Sequence, residues 1–125
     1  MRFTTPLDAI SGAWWRVLAW LGVAMVLYLS LVPQQFPEPL QFWNSDKLVH
    51  MAMYASLMGC FSRAYGRHHW LLIAGALAVF GLSVELLQSL TPTRQASALD
   101  ECANILGIVI MLWSVRRTPV AAAPP

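Results

Sequence analysis

The sequence predicts an all-α fold: a four-helix transmembrane bundle with both termini in the cytoplasm. Of its 125 residues, 58% are hydrophobic and only 11% are charged, whereas about 25% are charged in typical soluble domains. A soluble domain of this length cannot bury so much apolar surface. The apolar residues fall into four runs, each close to the roughly 20 residues that span a bilayer as a helix. We therefore expect an integral membrane protein.

Proline, glycine and charged residues separate the four runs. The predicted helices cover about residues 13–32, 46–65, 70–90 and 97–115. Pro33 ends the first helix because proline lacks a backbone N–H and clashes with the preceding turn. Ser97, followed three residues later by Asp100, resembles a capping box and begins the fourth helix.

One domain accounts for most of the chain. Residues 1–12 are an N-terminal arm, residues 13–117 are the four-helix membrane domain, and residues 118–125 are expected to be a disordered tail. No internal repeat divides the membrane domain. We therefore expect a single bundle without a fused second domain.

Basic residues predict how the bundle is oriented. With the N-terminus inside, the cytoplasmic side carries Arg2, Arg16, Arg63, Arg67, Arg116 and Arg117, and the outer side carries Lys47 and Arg94. Cytoplasmic loops are rich in Lys and Arg, so this asymmetry places both termini in the cytoplasm and the loops at 33–45 and 91–97 outside. The expected location is the inner (cytoplasmic) cell membrane, as a multi-pass protein.

Composition also argues against several function classes. The net charge is only +2, and no basic cluster is present to follow a phosphate backbone, so we expect no nucleic-acid partner. Cys60 and Cys102 form neither a CxxC nor a zinc-binding spacing. They are predicted at different depths in their helices, so we expect no disulfide within one chain. The sequence predicts no cofactor.

Polar residues concentrate at the predicted outer ends of three helices. Asp46, Lys47 and His50 begin the second helix, Glu85 and Gln88 end the third, and Ser97, Asp100 and Asn104 begin the fourth. With a rise of about 1.5 Å per residue, these groups are expected to lie in one layer below the outer surface. Ionisable residues within membrane helices usually have partners and often a function.

Two motifs in this layer resemble signatures of the VanZ-like family of small membrane proteins. The segment SDKLVHMAMYASL resembles the pattern Asp-Lys-x-x-His-x-x-x-Tyr. The segment VELLQSLTPTRQASALDECANILG resembles Glu-x-x-Gln, then Arg-x-x-Ser-x-x-Asp-x-x-x-Asn-x-x-Gly. The resemblance covers about residues 30–110 and places the family residues on Asp46, Lys47, His50, Tyr54, Glu85, Gln88, Arg94, Ser97, Asp100, Asn104 and Gly107.

The family is named for a protein linked to resistance against teicoplanin, a glycopeptide that acts on cell-wall precursors at the outer face. The resemblance therefore implies a place in the cell envelope. The favoured interpretation is an outward-facing polar pocket that binds or modifies an anionic lipid-linked envelope component. The partner is thus a membrane lipid or a lipid-linked envelope precursor.

Each site residue has an expected role in this interpretation. Lys47 and Arg94 hold the anionic head group, with Gln88, Ser97 and Asn104 as further ligand-binding residues. His50, Glu85 and Asp100 are candidates for proton handling. Asp46, Tyr54 and Gly107 support the site.

Two alternatives remain open from the residues alone. In the first, the chain is a non-enzymatic structural or interaction module, Gln88 and Asn104 join helices, and Arg94 pairs with a carboxylate; interhelical hydrogen bonds contribute about 0.6 kcal/mol on average. In the second, the chain is a divalent-metal-dependent membrane enzyme with His50, Glu85 and Asp100 as ligands. Glu101 is expected to face solvent in each case.

Overall fold

The computed structural model describes residues 10–32, 45–91 and 97–117, and every regular element in these ranges is helical. The helices are α1 (Gly12–Leu31), α2 (Ser45–Ala64), α3 (Trp70–Ser89) and α4 (Ala98–Arg117), with a short 3-10 turn at Arg67–His69 leading into α3. The prediction of an all-α chain with four helices is confirmed. The predicted disordered tail, most of the N-terminal arm, and Arg94 lie outside the described residues.

The helix ends follow the turn residues of the sequence. The largest difference from the prediction is at the end of α4, which continues to Arg117 instead of ending near residue 115. The Arg117 guanidinium lies 4.1 Å from the ring centroid of Trp113. Because these residues are four apart, they share one face of a helix, and this contact stabilises the additional turn.

Within the described ranges, three helical segments are long and apolar enough to cross a membrane: Gly12–Leu31, Arg67–Ser89 and Ala98–Arg117. Their outer faces expose many large apolar side chains, among them Trp14, Leu21, Leu72, Val79 and Trp113. Such extensive exposed apolar surface is typical of a surface that faces lipid. The structure therefore indicates a membrane protein.

Helix α2 is less apolar than the other three and lies at the centre of the bundle. It packs against α1, α3 and α4, and its Tyr54, Leu57 and Met58 are buried in the core. Since its neighbours cover much of its surface, α2 can carry polar residues that a lipid-facing helix would expose. This position explains why the least apolar helix bears one of the two family-like motifs.

Helices α2 and α4 are parallel and pack very closely. A Cβ atom at Gly107 would overlap the carbonyl oxygen of Met51 and would lie 3.2 Å from the backbone nitrogen of Ala55. Only glycine allows the two backbones to approach in this way. The close crossing brings the first turns of α2 and α4 side by side, which is where the polar residues lie.

Helices α1 and α3 run in the opposite direction to α2 and α4. Gln88 near the end of α3 donates a hydrogen bond to the backbone oxygen of Ser30 near the end of α1, at 2.8 Å. The ends of α1 and α3 therefore lie at the same end of the bundle as the starts of α2 and α4. We call this the polar end.

The opposite end of the bundle, which we call the basic end, carries arginines stacked on aromatic rings. The pairs are Arg16 on Tyr65 (5.4 Å), Arg63 on Trp15 (5.2 Å), Arg67 on Trp70 (5.2 Å) and Arg117 on Trp113 (4.1 Å). Cation–π contacts of this kind contribute about 0.5–1 kcal/mol at exposed sites. Among the described residues, the arginines and the carboxylates are thus separated along the long axis of the molecule.

Candidate functional site

Side chains from α2, α3 and α4 meet at the polar end. We call this group the polar cluster; its members are Asp46, Lys47, His50, Glu85, Ser97, Asp100, Glu101 and Asn104. The three residues predicted to handle protons, His50, Glu85 and Asp100, come together with donor atoms all within 4.8 Å of one another. The predicted convergence of these three residues is therefore present in the structure.

Lys47 lies between two carboxylates. Its Nζ donates to Asp100 Oδ1 at 3.0 Å and to Asp46 Oδ2 at 3.1 Å. The side chain of Asp100 is 14% exposed, whereas that of Asp46 is 53% exposed. The positive charge of Lys47 is therefore already balanced, mainly by the more buried Asp100, and Asp46 supports it from the surface.

His50 is held by a chain of two hydrogen bonds. Its Nδ1 lies 3.0 Å from Asn104 Oδ1, and Asn104 Nδ2 donates to Glu101 Oε2 at 3.1 Å. Because the amide nitrogen faces a carboxylate, the amide oxygen faces the imidazole and accepts the proton on Nδ1. The other ring nitrogen, His50 Nε2, faces Asp100 Oδ2 at 3.8 Å.

The expectation that Glu101 faces solvent is wrong. Glu101 is only partly exposed and accepts the hydrogen bond from Asn104. It reaches inward because Gly81 of α3 leaves space: a Cβ atom there would lie 2.8 Å from Glu101 Oε2 and 3.0 Å from Asn104 Nδ2. Gly81, which was not among the predicted site residues, is thus part of the site. Its position in the sequence could have indicated this role, because Gly81 precedes Glu85 by four residues and therefore lies on the same face of α3.

Glu85 connects α3 to the start of α4. It is 3% exposed, and its Oε2 accepts the backbone N–H of Ser97 at 3.1 Å. Ser97 Oγ in turn accepts the backbone N–H of Asp100 at 3.3 Å. The prediction that Ser97 caps the fourth helix is confirmed, and the cap holds Asp100 beside Glu85.

Three further predicted site residues have packing partners. Gln88 is directed toward α1 through its bond to Ser30. Tyr54 is 1% exposed, and its ring centroid lies 6.2 Å from that of Phe80. Gly107 lies at the crossing of α2 and α4. These contacts support the structural interpretation of Gln88, Tyr54 and Gly107.

The polar cluster is acidic as a whole. It contains four carboxylates, from Asp46, Glu85, Asp100 and Glu101, and one ammonium, from Lys47. Counted formally, with every carboxylate ionised and no charge on His50, the polar cluster has a balance of three negative charges. Electrostatics at the polar cluster therefore favours a cation next to His50, Glu85 and Asp100, and an anion can bind there only with a cation beside it or with carboxylates that are paired or protonated.

Comparisons with protein-family models, with curated proteins and with solved structures find no match to this chain. The resemblance of the two motifs to VanZ-like proteins therefore stays a prediction from the sequence. The function of the chain is inferred below from the geometry and charge of the polar cluster.

Proposed function

We propose that this chain is a VanZ-like protein that crosses the cytoplasmic membrane four times, with both termini inside. In this proposal the polar end faces outward, and the polar cluster binds the charged head group of an anionic lipid-linked envelope component. The stacked arginines of the basic end support this orientation, since basic residues favour the cytoplasmic side.

One observation carries the proposal: α2, α3 and the start of α4 bring eight polar residues, four of them carboxylates, to one end of the bundle. Ionisable groups within membrane segments are costly to retain. A binding role explains why the polar groups are gathered instead of dispersed.

A phosphate or pyrophosphate head group fits the proposed role best. Arg94, which the motif assigns to the site, has a planar guanidinium group that can donate two parallel hydrogen bonds to two phosphate oxygens. Lys47 is available to an anion only together with its carboxylate partners Asp46 and Asp100.

The structural module is the second candidate, and particular contacts favour it. Gln88 joins α3 to α1, and Glu85 joins α3 to the start of α4. In that role the polar cluster stabilises the arrangement of helices and has no preference for a charged ligand. Comparing the affinity for a charged ligand with the affinity for its uncharged analogue therefore distinguishes the two functions.

The test is a titration of the detergent-purified protein with a short-chain polyprenyl pyrophosphate. Binding is measured by the change in intrinsic tryptophan fluorescence. The matched control ligand is the polyprenol of the same chain length. We expect the pyrophosphate to bind at least tenfold more tightly, a difference of about 1.4 kcal/mol. Equal affinity for the two ligands would exclude head-group recognition and leave the structural module.

Arg94→Lys is the matched variant for this titration. Lysine keeps the charge but loses the planar five-donor fork, so we expect weaker pyrophosphate binding and an unchanged melting temperature. An arginine that only anchors the chain at the surface tolerates this change, because exposed charge pairs contribute about 0–1 kcal/mol.

A further inference from the structure

Three donor groups converge at the polar end from three different helices. His50 comes from α2, Glu85 from α3 and Asp100 from α4, and their donor atoms all lie within 4.8 Å of one another. Donors on one ion at ligand distances of about 2.0–2.2 Å are at most about 4.4 Å apart. Small side-chain rotations therefore bring all three within reach of a single ion.

The hydrogen bonds around His50 leave one imidazole nitrogen directed at Asp100. The Asn104 amide is fixed by Glu101, and its oxygen faces His50 Nδ1, so Nε2 is the nitrogen that lies toward Asp100. Nε2 and Asp100 Oδ2 are 3.8 Å apart, which is too long for a hydrogen bond. The same separation is within the roughly 4.4 Å limit for two donors that bind one metal ion.

Each of the three donors is also oriented by a second residue. Asn104 holds the imidazole, Lys47 holds Oδ1 of Asp100 and leaves Oδ2 toward His50, and the Ser97 N–H holds Glu85. Hydrogen bonds of this kind commonly orient metal ligands, and removing one typically lowers metal affinity 10–100-fold. A purely structural cluster does not need all three side chains directed at one point.

We propose that His50, Glu85 and Asp100 bind a divalent first-row metal ion, such as Mn²⁺ or Zn²⁺. One imidazole nitrogen and two carboxylates suit such ions, and three protein ligands leave a position open for a further ligand. This inference deepens the proposed function and depends on it for its biological purpose. The ion offsets the surplus negative charge and binds the phosphate oxygens of the head group at its open position.

The direct test is Mn²⁺ binding to EDTA-treated, detergent-purified protein, measured by the loss of the free-ion signal in electron paramagnetic resonance. We expect one ion per chain in the wild type and at least tenfold weaker binding in Asp100→Asn. His68→Asn is the control, because His68 is an exposed potential metal ligand that lies outside the polar cluster. Wild-type protein without bound Mn²⁺, or equal losses in the two variants, would overturn the metal site.

A second measurement needs only the wild-type chain and stays informative if Asp100→Asn does not fold. Pulsed electron paramagnetic resonance of the bound Mn²⁺ detects coupling to a coordinating imidazole nitrogen. We expect this coupling from His50, together with a melting temperature that rises as Mn²⁺ is added, because a ligand of the folded state stabilises it. Bound Mn²⁺ without nitrogen coupling would contradict the assigned ligands.

Repeating the pyrophosphate titration with Mn²⁺ and with EDTA separates this inference from the proposed function. We expect at least tenfold tighter pyrophosphate binding in Mn²⁺. Mn²⁺ binding without any pyrophosphate binding would refute the proposed function while the metal site stands. Pyrophosphate binding of equal strength in EDTA would refute the bridging role of the metal.

Discussion

At the scale of single residues, Gly81 contributes no polar atom to the polar cluster and yet determines its shape. Its missing side chain provides the space into which Glu101 and Asn104 extend. A Cβ atom there would also lie 3.2 Å from Tyr54 Cε1. Any larger residue at this position must displace the Glu101 carboxylate, which accepts the hydrogen bond from Asn104, the residue that orients His50.

We therefore expect Gly81→Ala to lower Mn²⁺ affinity about 10–100-fold, the range for loss of a residue that orients a ligand. Overpacking should also destabilise the fold by about 1–3 kcal/mol. Gly75→Ala on the same helix is the control, since a Cβ atom there would have no neighbour within 4 Å and alanine favours a helix by about 0.8–1.0 kcal/mol. Affinity and melting temperature are compared in detergent; similar behaviour of the two variants would contradict the role given to Gly81.

The residue scale also shows what the sequence can and cannot predict. Helical spacing predicted that His50, Asp100 and Asn104 turn toward the same layer, and the structure brings them together. Spacing did not predict that Glu101 turns inward, because its direction depends on how α4 is rotated against α3 and on the space at Gly81. Partners across helices follow from packing, which no single helix specifies.

At the scale of elements, the crossing of α2 and α4 is the contact that positions the site. Gly107 touches the backbone of α2, which cannot move aside, whereas a Cβ atom at Gly59 would lie 3.5 Å from the flexible side chain of Met111. A side chain is therefore excluded at Gly107 and tolerated at Gly59, although each glycine follows an alanine by four residues, Ala103 and Ala55, in the sequence.

We expect Gly107→Ala to destabilise the bundle by at least about 1–3 kcal/mol, the usual range for overpacking. Gly59→Ala should change stability by less than about 1 kcal/mol, since its contact is at ordinary van der Waals distance and alanine favours a helix. Unfolding in mixed micelles with increasing denaturing detergent measures both variants. A Gly107→Ala protein as stable as Gly59→Ala would show that the two backbones are not in contact.

The helices themselves were the most predictable elements. Proline, glycine and capping residues mark their ends locally, and Ser97 acts as the predicted cap. The central place of α2 was not predictable in the same way, because its hydropathy alone makes it the weakest candidate to span a membrane. Its polar residues are accommodated by contacts with the three neighbouring helices, which are a property of the assembled bundle.

At the scale of the whole molecule, the two ends differ in charge and chemistry. The basic end carries arginines stacked on aromatic rings, and the polar end carries the carboxylates, Lys47 and His50. An envelope component is reached only if the polar end faces outward. The orientation of the bundle is therefore the central claim on which both the proposed function and the metal-bridged head group depend.

Labelling of single cysteines with a membrane-impermeant maleimide tests this claim most directly. In a background without Cys60 and Cys102, one variant carries Asp46→Cys at the polar end and the other carries Arg117→Cys at the basic end; both native residues are exposed. We expect Asp46→Cys to react in intact cells and Arg117→Cys to react only after the membrane is permeabilised. The reverse pattern, or reaction of both in intact cells, would contradict a four-span bundle whose polar cluster opens to the outer face.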